Sequence, residues 1–281
     1  MERQGSAKVI AKHQPKQLRT RRNDHGAGRM NIQPMRELVR RRGNYGVDAP
    51  YVLSGFAAGG VVLLGAAAIS TWVVHMPALA GVCLVSAAWM FAQVASYLYT
   101  TRRGKFVVWA KLLSAAGLRG DERIVDLGCG RGAVLLMAAQ LVPRGTVTGV
   151  DLWRTIDQSG NDPELTRRNA EREEVADRIE LLTADLRAVP LPDDSFDVVL
   201  SSLAIHNLPD ATARDQVIDE AVRLLRPGGT LFIADIRAIS AYAERLRHHG
   251  MADVRTRDLG WQFWYGNPFV AAKLVTARKQ A

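Results

Sequence analysis

Three glycines at alternate positions mark the stretch of this chain best suited to chemistry, Val125-Asp126-Leu127-Gly128-Cys129-Gly130-Arg131-Gly132. The apolar run before them reads as a strand and the residues after them as a helix. The glycines then form the turn between the two, where the backbone bends sharply and a ligand can lie against bare main chain. A dinucleotide-binding turn spaces its glycines GxGxxG; here they fall as GxGxG, which counts against a nicotinamide-dependent oxidoreductase. Asp126 would repel a pyrophosphate and suits a ligand carrying an ammonium and a sulfonium. Asp151 closes the next strand, where a carboxylate can accept hydrogen bonds from both hydroxyls of a ribose; a plain strand-end turn residue is the alternative. In Ser201-Ser202-Leu203-Ala204-Ile205-His206-Asn207, His206 stands beyond the fourth strand, on the rim where a second substrate would lie. A neutral imidazole there is suited to accept a proton, or it bonds Asn207 and the backbone to shape the loop. The two cysteines, Cys83 in an apolar run and Cys129 in the glycine turn, make neither a disulfide framework nor a thiolate metal site.

Such residues need a rigid frame, and from residue 105 onward the pattern of strand, turn and helix repeats. Runs rich in β-formers fall at 123–127, 146–150, 179–183, 196–200, 230–234 and 269–276, with helical stretches at 163–174 and 211–225 among them. This alternation predicts an α/β domain, a mostly parallel sheet with helices on both faces. Near the end, 260–269 gathers five aromatics, Trp261, Phe263, Trp264, Tyr265 and Phe269. They would wall an apolar acceptor site, press on a membrane interface, or form the core of a hairpin closing the sheet.

Charge divides the chain. Residues 1–50 hold twelve Lys/Arg against four Asp/Glu, while the remaining 231 hold 25 against 24. The nearly neutral main domain lacks the basic face of a nucleic-acid binder. The arm 1–50 is poor in aromatic and β-branched residues and reads as mostly disordered. Its stripe of Arg36 and Arg40-Arg41-Arg42 suits anionic lipid headgroups or nucleic acid, its place before an apolar span favouring lipid, or simply sets topology, and Met30 and Met35 are alternative starts. No Asp, Glu, Lys or Arg occurs between Asp48 and Arg102. Spans 51–74 and 78–99 each reach the ~20 helical residues of a bilayer core and are broken only at His75-Met76-Pro77. A buried hairpin of a soluble protein is the alternative, but two successive helices without charge on any face favour the membrane. Gly55 and Gly59 would let the two helices approach closely. Arginines before the pair, Arg102, Arg103 and Lys105 after it, and none between place both ends in the cytoplasm. The expected organisation is a basic arm over 1–50, a transmembrane hairpin over 51–99 and a cytoplasmic catalytic domain over 102–281, at the plasma membrane.

The segment 126–132 resembles the first motif of class I S-adenosylmethionine-dependent methyltransferases. Thr183-Ala184-Asp185-Leu186, Leu191-Pro192-Asp193-Asp194-Ser195-Phe196-Asp197 and Leu225-Arg226-Pro227-Gly228-Gly229 resemble the later landmarks in order. The stretch 201–207 is similar to the ubiquinone/menaquinone-biosynthesis and small-molecule branches. The resemblance implies a Rossmann-like seven-stranded sheet whose last strand is antiparallel. It also implies S-adenosylmethionine contacts: Gly128, Cys129, Gly130 and Gly132 against methionine and ribose, Asp126 on the amino group and Asp151 on the ribose hydroxyls. Leu152 would pack on the adenine, Asp185 and the Leu186 amide would bond it, and Ser201 would lie near the methionine backbone. The stretch 153–162 departs from the family pattern as an insertion beside the cofactor. It reads as a lid or pocket wall, with Trp153 packing on adenine or substrate, or else as a solvent-facing loop. The implied activity is methyl transfer to a small-molecule or lipid-like acceptor, with His206 as candidate base; arsenic methylation lacks its thiols. A membrane adaptor that binds S-adenosylmethionine without turnover is the rival, and a second copy of the chain is an open partner.

Overall fold

A computed structural model describes residues 32–281; the basic arm up to residue 31, Met30 included, lies outside the described residues. Seven strands form one sheet: β1 (Arg123–Leu127), β2 (Thr146–Asp151), β3 (Ile179–Thr183), β4 (Phe196–Ser202), β5 (Leu225–Asp235), β6 (Ala252–Asp258) and β7 (Lys273–Arg278). Their order is β3-β2-β1-β4-β5-β7-β6, and only β7 runs antiparallel to its neighbours. Alternate side chains feed two cores. Ile124, Val198 and Leu200 pack with Trp109 of α4 (Lys105–Ser114) and Leu136 of α5 (Leu135–Leu141). Val125, Leu127 and Val199 pack on the other face with Val217 and Ile218 of a helix over Ala211–Leu224 and Leu246 of a helix over Ile239–His248. Both faces of the central strands are therefore buried, each fully buried aliphatic side chain contributing about 1.5–3 kcal/mol. The strand order reverses between β1 and β4, which opens a crevice at their carboxyl ends.

The strand β6 was not legible in the sequence. Asp-Val-Arg-Thr-Arg-Asp carries no apolar alternation because β6 is the outer edge of the sheet and is largely exposed. The final run starts later than expected, at Lys273, since Pro268–Val270 forms a short 3-10 turn.

Ahead of this domain, α2 (Pro50–Trp72) and α3 (Pro77–Tyr99) form a hairpin of two 23-residue helices. Both are long and apolar enough to cross a membrane, and large side chains such as Val62, Trp72 and Val85 are more than two-thirds exposed on them. The close approach differs from the expected one. A Cβ on Gly60 would lie 2.8 Å from the Phe91 ring, whereas Gly55 has nothing near and Gly59 only Met90 Sδ at 3.9 Å. From α3 the chain passes through a π-helical turn, Thr100–Gly104, directly into α4.

The described part of the arm differs from a disordered tail. The helix α1 (Ile32–Val39) buries Leu38 in the first core. Arg41 turns inward, bonding Gln140 and Tyr45 and pairing with Glu173 at 3.3 Å. The amides of Arg42 and Gly43 donate to the same Glu173 carboxylate. Ordering of 40–49 comes from these satisfied polar groups, a source that composition does not register. Arg36, Arg40 and Arg42 remain exposed, so the basic stripe keeps three of its four members on the surface.

Candidate active site

The glycine turn lies at the carboxyl end of β1, and its three glycines answer three different demands. Gly128 has φ +81° and a Cβ there would fall 2.1 Å from Ala204 Cβ, because the loop after β4 lies directly on the turn. A Cβ on Gly130 would meet Gln158 Oε1 at 2.6 Å. Gly132 faces away, against Leu136 and Thr166, so it serves helix packing. A cavity of about 460 Å³ opens in front of the turn. Asp126, Gly128, Cys129 and Gly130 line it, joined by Asp151 and Leu152 from β2, Asp185 and Leu186 after β3, and His206. Gly132 and Ser201 are not in its wall. The Ser201 hydroxyl is buried and donates to Leu127 O at 2.8 Å, while the next residue, Ser202, faces the cavity and accepts from Trp109 Nε1 at 2.9 Å.

The carboxylates differ in how far they are already satisfied. Asp126 is 1% exposed, its Oδ1 has no hydrogen-bond partner, and burial pushes its carboxyl up to about 7. A buried, unpartnered acceptor on a cavity wall fits the ammonium group of a methionine moiety. Asp151 accepts from the amides of Gly130 at 2.8 Å and Trp153 at 2.6 Å and from Asn161 Nδ2 at 3.2 Å. Burial raises its pKa against these bonds, and three donors leave a carboxylate room for one more. Asp185 is held by both the guanidinium and the amide of Arg187, which lower its pKa. Burial pushes the Cys129 thiol well up, so it is a packing residue rather than a nucleophile.

His206 has a partner the sequence did not reveal. Its Nδ1 lies 2.6 Å from Asp235 Oδ1, and its amide donates to Asp235 Oδ2 at 3.0 Å. Asp235 ends β5 and is fully buried. A carboxylate only accepts, so Nδ1 carries the hydrogen, and in the neutral ring Nε2 is then the nitrogen left to accept. The available signal was the position of Asp235, at the end of a strand as Asp151 is.

The insertion is a cover rather than a loose loop. Gln158 accepts from the Arg131 amide at 2.9 Å and donates to Asp48 Oδ1 at 3.0 Å. Asp48 also bonds Lys105 Nζ at 2.8 Å and Tyr265 Oη at 2.8 Å. A short bridge between Asp48 and Gln158 joins the arm to the insertion. Trp153 does not line the cavity; its Nε1 donates to Thr183 Oγ1 at 2.8 Å. Two of the three readings of the aromatic segment, core and cavity wall, have residues behind them. Phe263 is buried core, Tyr265 lines the cavity, and Trp261 stacks on Tyr99 with ring centroids 5.1 Å apart.

Residues 125–233 match the model of a family described as a methyltransferase domain. The 27-O-demethylrifamycin SV methyltransferase of Amycolatopsis mediterranei is 35% identical over 148 residues, covering 50% of this chain and 50% of that protein. The ubiquinone/menaquinone biosynthesis C-methyltransferase UbiE of Pseudomonas entomophila is 30% identical over 134 residues, 47% of this chain and 49% of that protein. The chain thus spans about half the length of the curated relatives it matches. Among solved structures, a geranyl diphosphate methyltransferase in complex with SAM shares the fold with a TM-score of 0.51 at 16% identity, over 66% of this chain and 90% of that one. The matched segment is thus similar to methyltransferase domains, and these similarities support S-adenosylmethionine as the cofactor.

Proposed function

We propose that this protein methylates a small-molecule or lipid-like acceptor at the cytoplasmic face of a membrane, drawing the methyl group from S-adenosylmethionine. The observation that carries the reading is His206 on the wall of the cavity that also holds the glycine turn and Asp126, with the buried Asp235 bonded to it from behind. S-adenosylmethionine supplies a methyl carbon already activated by its sulfonium, so the protein's task is alignment, exclusion of water and removal of one proton. Asp126 would hold the ammonium, the Gly128–Gly130 backbone the methionine and ribose, Asp151 a ribose hydroxyl, and Asp185 with Leu186 the adenine. His206 offers Nε2 to the proton that the acceptor must lose, and Asp235 keeps the ring in the required tautomer and supports the imidazolium that forms. The arrangement supports an acceptor that must lose a proton, such as a hydroxyl or an acidified carbon.

The membrane part rests on α2 and α3, their uncharged surfaces and the basic residues that flank the pair on the outside. Both chain ends then face the cytoplasm, with the exposed arginines of the arm at the anionic lipid surface. The test incubates full-length protein in vesicles with methyl-labelled S-adenosylmethionine and lipid and quinone extracts, and reads mass spectra for a labelled product. A product in the organic phase is expected, lost in His206→Ala. Tight cofactor binding with no product from any extract would favour an adaptor without turnover.

A further inference from the structure

The methyltransferase cavity is not built by the catalytic domain alone. Tyr51, Val52 and Phe56 from the first turns of α2 and Tyr97 from the last turn of α3 line it, opposite Tyr265 and Val270 of the aromatic segment. These residues form a mostly apolar wall at the end of the cavity nearest the hairpin, with the Asp48–Lys105 pair set into it and the Tyr97 and Tyr265 hydroxyls bonded to Asp48. Several contacts hold that wall in register. Tyr97 and Tyr265 pack edge to face with centroids 5.1 Å apart, Asn267 Nδ2 donates to Gln93 Oε1 at 2.7 Å, and Thr100 Oγ1 donates to Trp264 O at 2.6 Å. A Cβ on Gly266 would lie 3.2 Å from the Phe56 ring, so the segment sits directly on α2.

Exposed lining residues mark where the cavity opens: Leu152 and Arg154 of the insertion, Asn207 and Arg237 of the loops after β4 and β5, and Tyr51 at the hairpin. Leu152 is 49% exposed, on the side of the polar insertion. Tyr51 is 64% exposed, at the start of the apolar helix α2. Exposed aromatics, Phe269 at 93% and the outer face of Trp261 at 60%, stand on the same aromatic segment, where they suit the level of lipid headgroups. The openings therefore differ in chemistry: those at the insertion and the loops meet water, and the one at Tyr51 meets the base of the apolar hairpin.

From this geometry we infer that the cavity takes an amphiphilic acceptor whose apolar chain leaves through the Tyr51 mouth into the bilayer, with its head against His206. The inference rests on the methyltransferase reading for the head and on the hairpin-built wall for the chain. Burying each chain methylene against such a wall is favourable by the same term that keeps it in lipid, so a chain can pass from bilayer to cavity with little desolvation.

The test uses full-length protein in phosphatidylcholine vesicles and a hexadecanol carrying a diazirine in its chain. Irradiation is expected to label peptides 51–56 and 265–270, and Val52→Trp or Val270→Trp, filling the passage from opposite walls, should each reduce labelling of the facing peptide at least fivefold. Labelling confined to outward positions such as Val62 and Val85, unchanged by both variants, would overturn the inference. S-adenosylmethionine binding in the same vesicles separates the two readings. Binding without cavity labelling removes the chain passage and keeps the methyltransferase, whereas cavity labelling without binding keeps the passage and removes the methyltransferase. The labelling map of the unaltered protein decides the matter even if a variant fails to fold.

Discussion

Burial holds the Asp126 carboxyl near neutrality, at about 7, and the same burial leaves Oδ1 without a donor. An acid raised on folding binds more protons in the native than in the unfolded state between its ordinary pKa and the raised one. Stability therefore falls as pH rises through that window and levels off above it. A bound ammonium favours the ionised form, so cofactor affinity should strengthen by up to about tenfold per pH unit as pH rises toward 7 and then flatten. Titration calorimetry from pH 5.5 to 8 would read this, and Asp126→Asn should abolish the dependence; an equal slope in both proteins would remove Asp126 from the ammonium site. At Asp235 the expected effect is on turnover. Asp235→Asn lets the ring adopt the other tautomer, and the rate should drop by about 10²–10⁴ with cofactor affinity retained. Parallel losses of rate and affinity would instead mark Asp235 as structural. Asp126, Asp151 and His206 were legible because motif position and strand ends announce them. Asp235 was not, since its role depends on β4 and β5 lying side by side.

At the scale of elements, the glycine turn is locked between the loop after β4 and the insertion. Gly128→Ala places a Cβ on Ala204 in a left-handed conformation, and should lower stability by about 3 kcal/mol. Thermal unfolding would measure it, and an unchanged midpoint would mean that the 203–206 loop yields freely. The Asp48–Lys105 pair joins the arm to α4, with both side chains mostly buried. Lys105→Met strands a buried carboxylate, so a loss of about 3 kcal/mol is expected; the double change with Asp48→Asn should recover part of it. The insertion was visible in the sequence as a departure from the family pattern. That it covers the turn by bonding the arm was not, because Asp48 and Gln158 are 110 positions apart.

The molecule as a whole couples an apolar hairpin to an α/β domain. Full-length protein should stay with membranes through high-salt and carbonate washing, since each helix offers a span of uncharged surface. Release by salt alone would leave only surface charge as the attachment. The sequence predicts that every cofactor landmark lies after residue 121, so the domain from Arg102 onward should bind S-adenosylmethionine unaided. The cavity says otherwise, because Asp48, Val52, Phe56 and Tyr97 belong to its wall. Removing residues 1–101 should weaken cofactor binding at least about tenfold, the loss of one to two charge-assisted bonds and their cover. Undiminished affinity would confine the arm and hairpin to the acceptor side.

The sequence by itself determined the α/β alternation, the glycine turn with its acidic residue, the two uncharged spans and the inner strands. These are properties of neighbouring residues: periodicity, local turn chemistry and composition act over ten or twenty positions. Only the tertiary structure decided that Gly132 and Ser201 turn away from the cavity, that Ser202 lines it and Asp235 backs His206 from behind its wall, and that the arm, the hairpin and the aromatic segment close it. Those outcomes depend on which side of a strand faces the crevice and on contacts between residues 29 to 217 positions apart, and such contacts leave no local pattern to read.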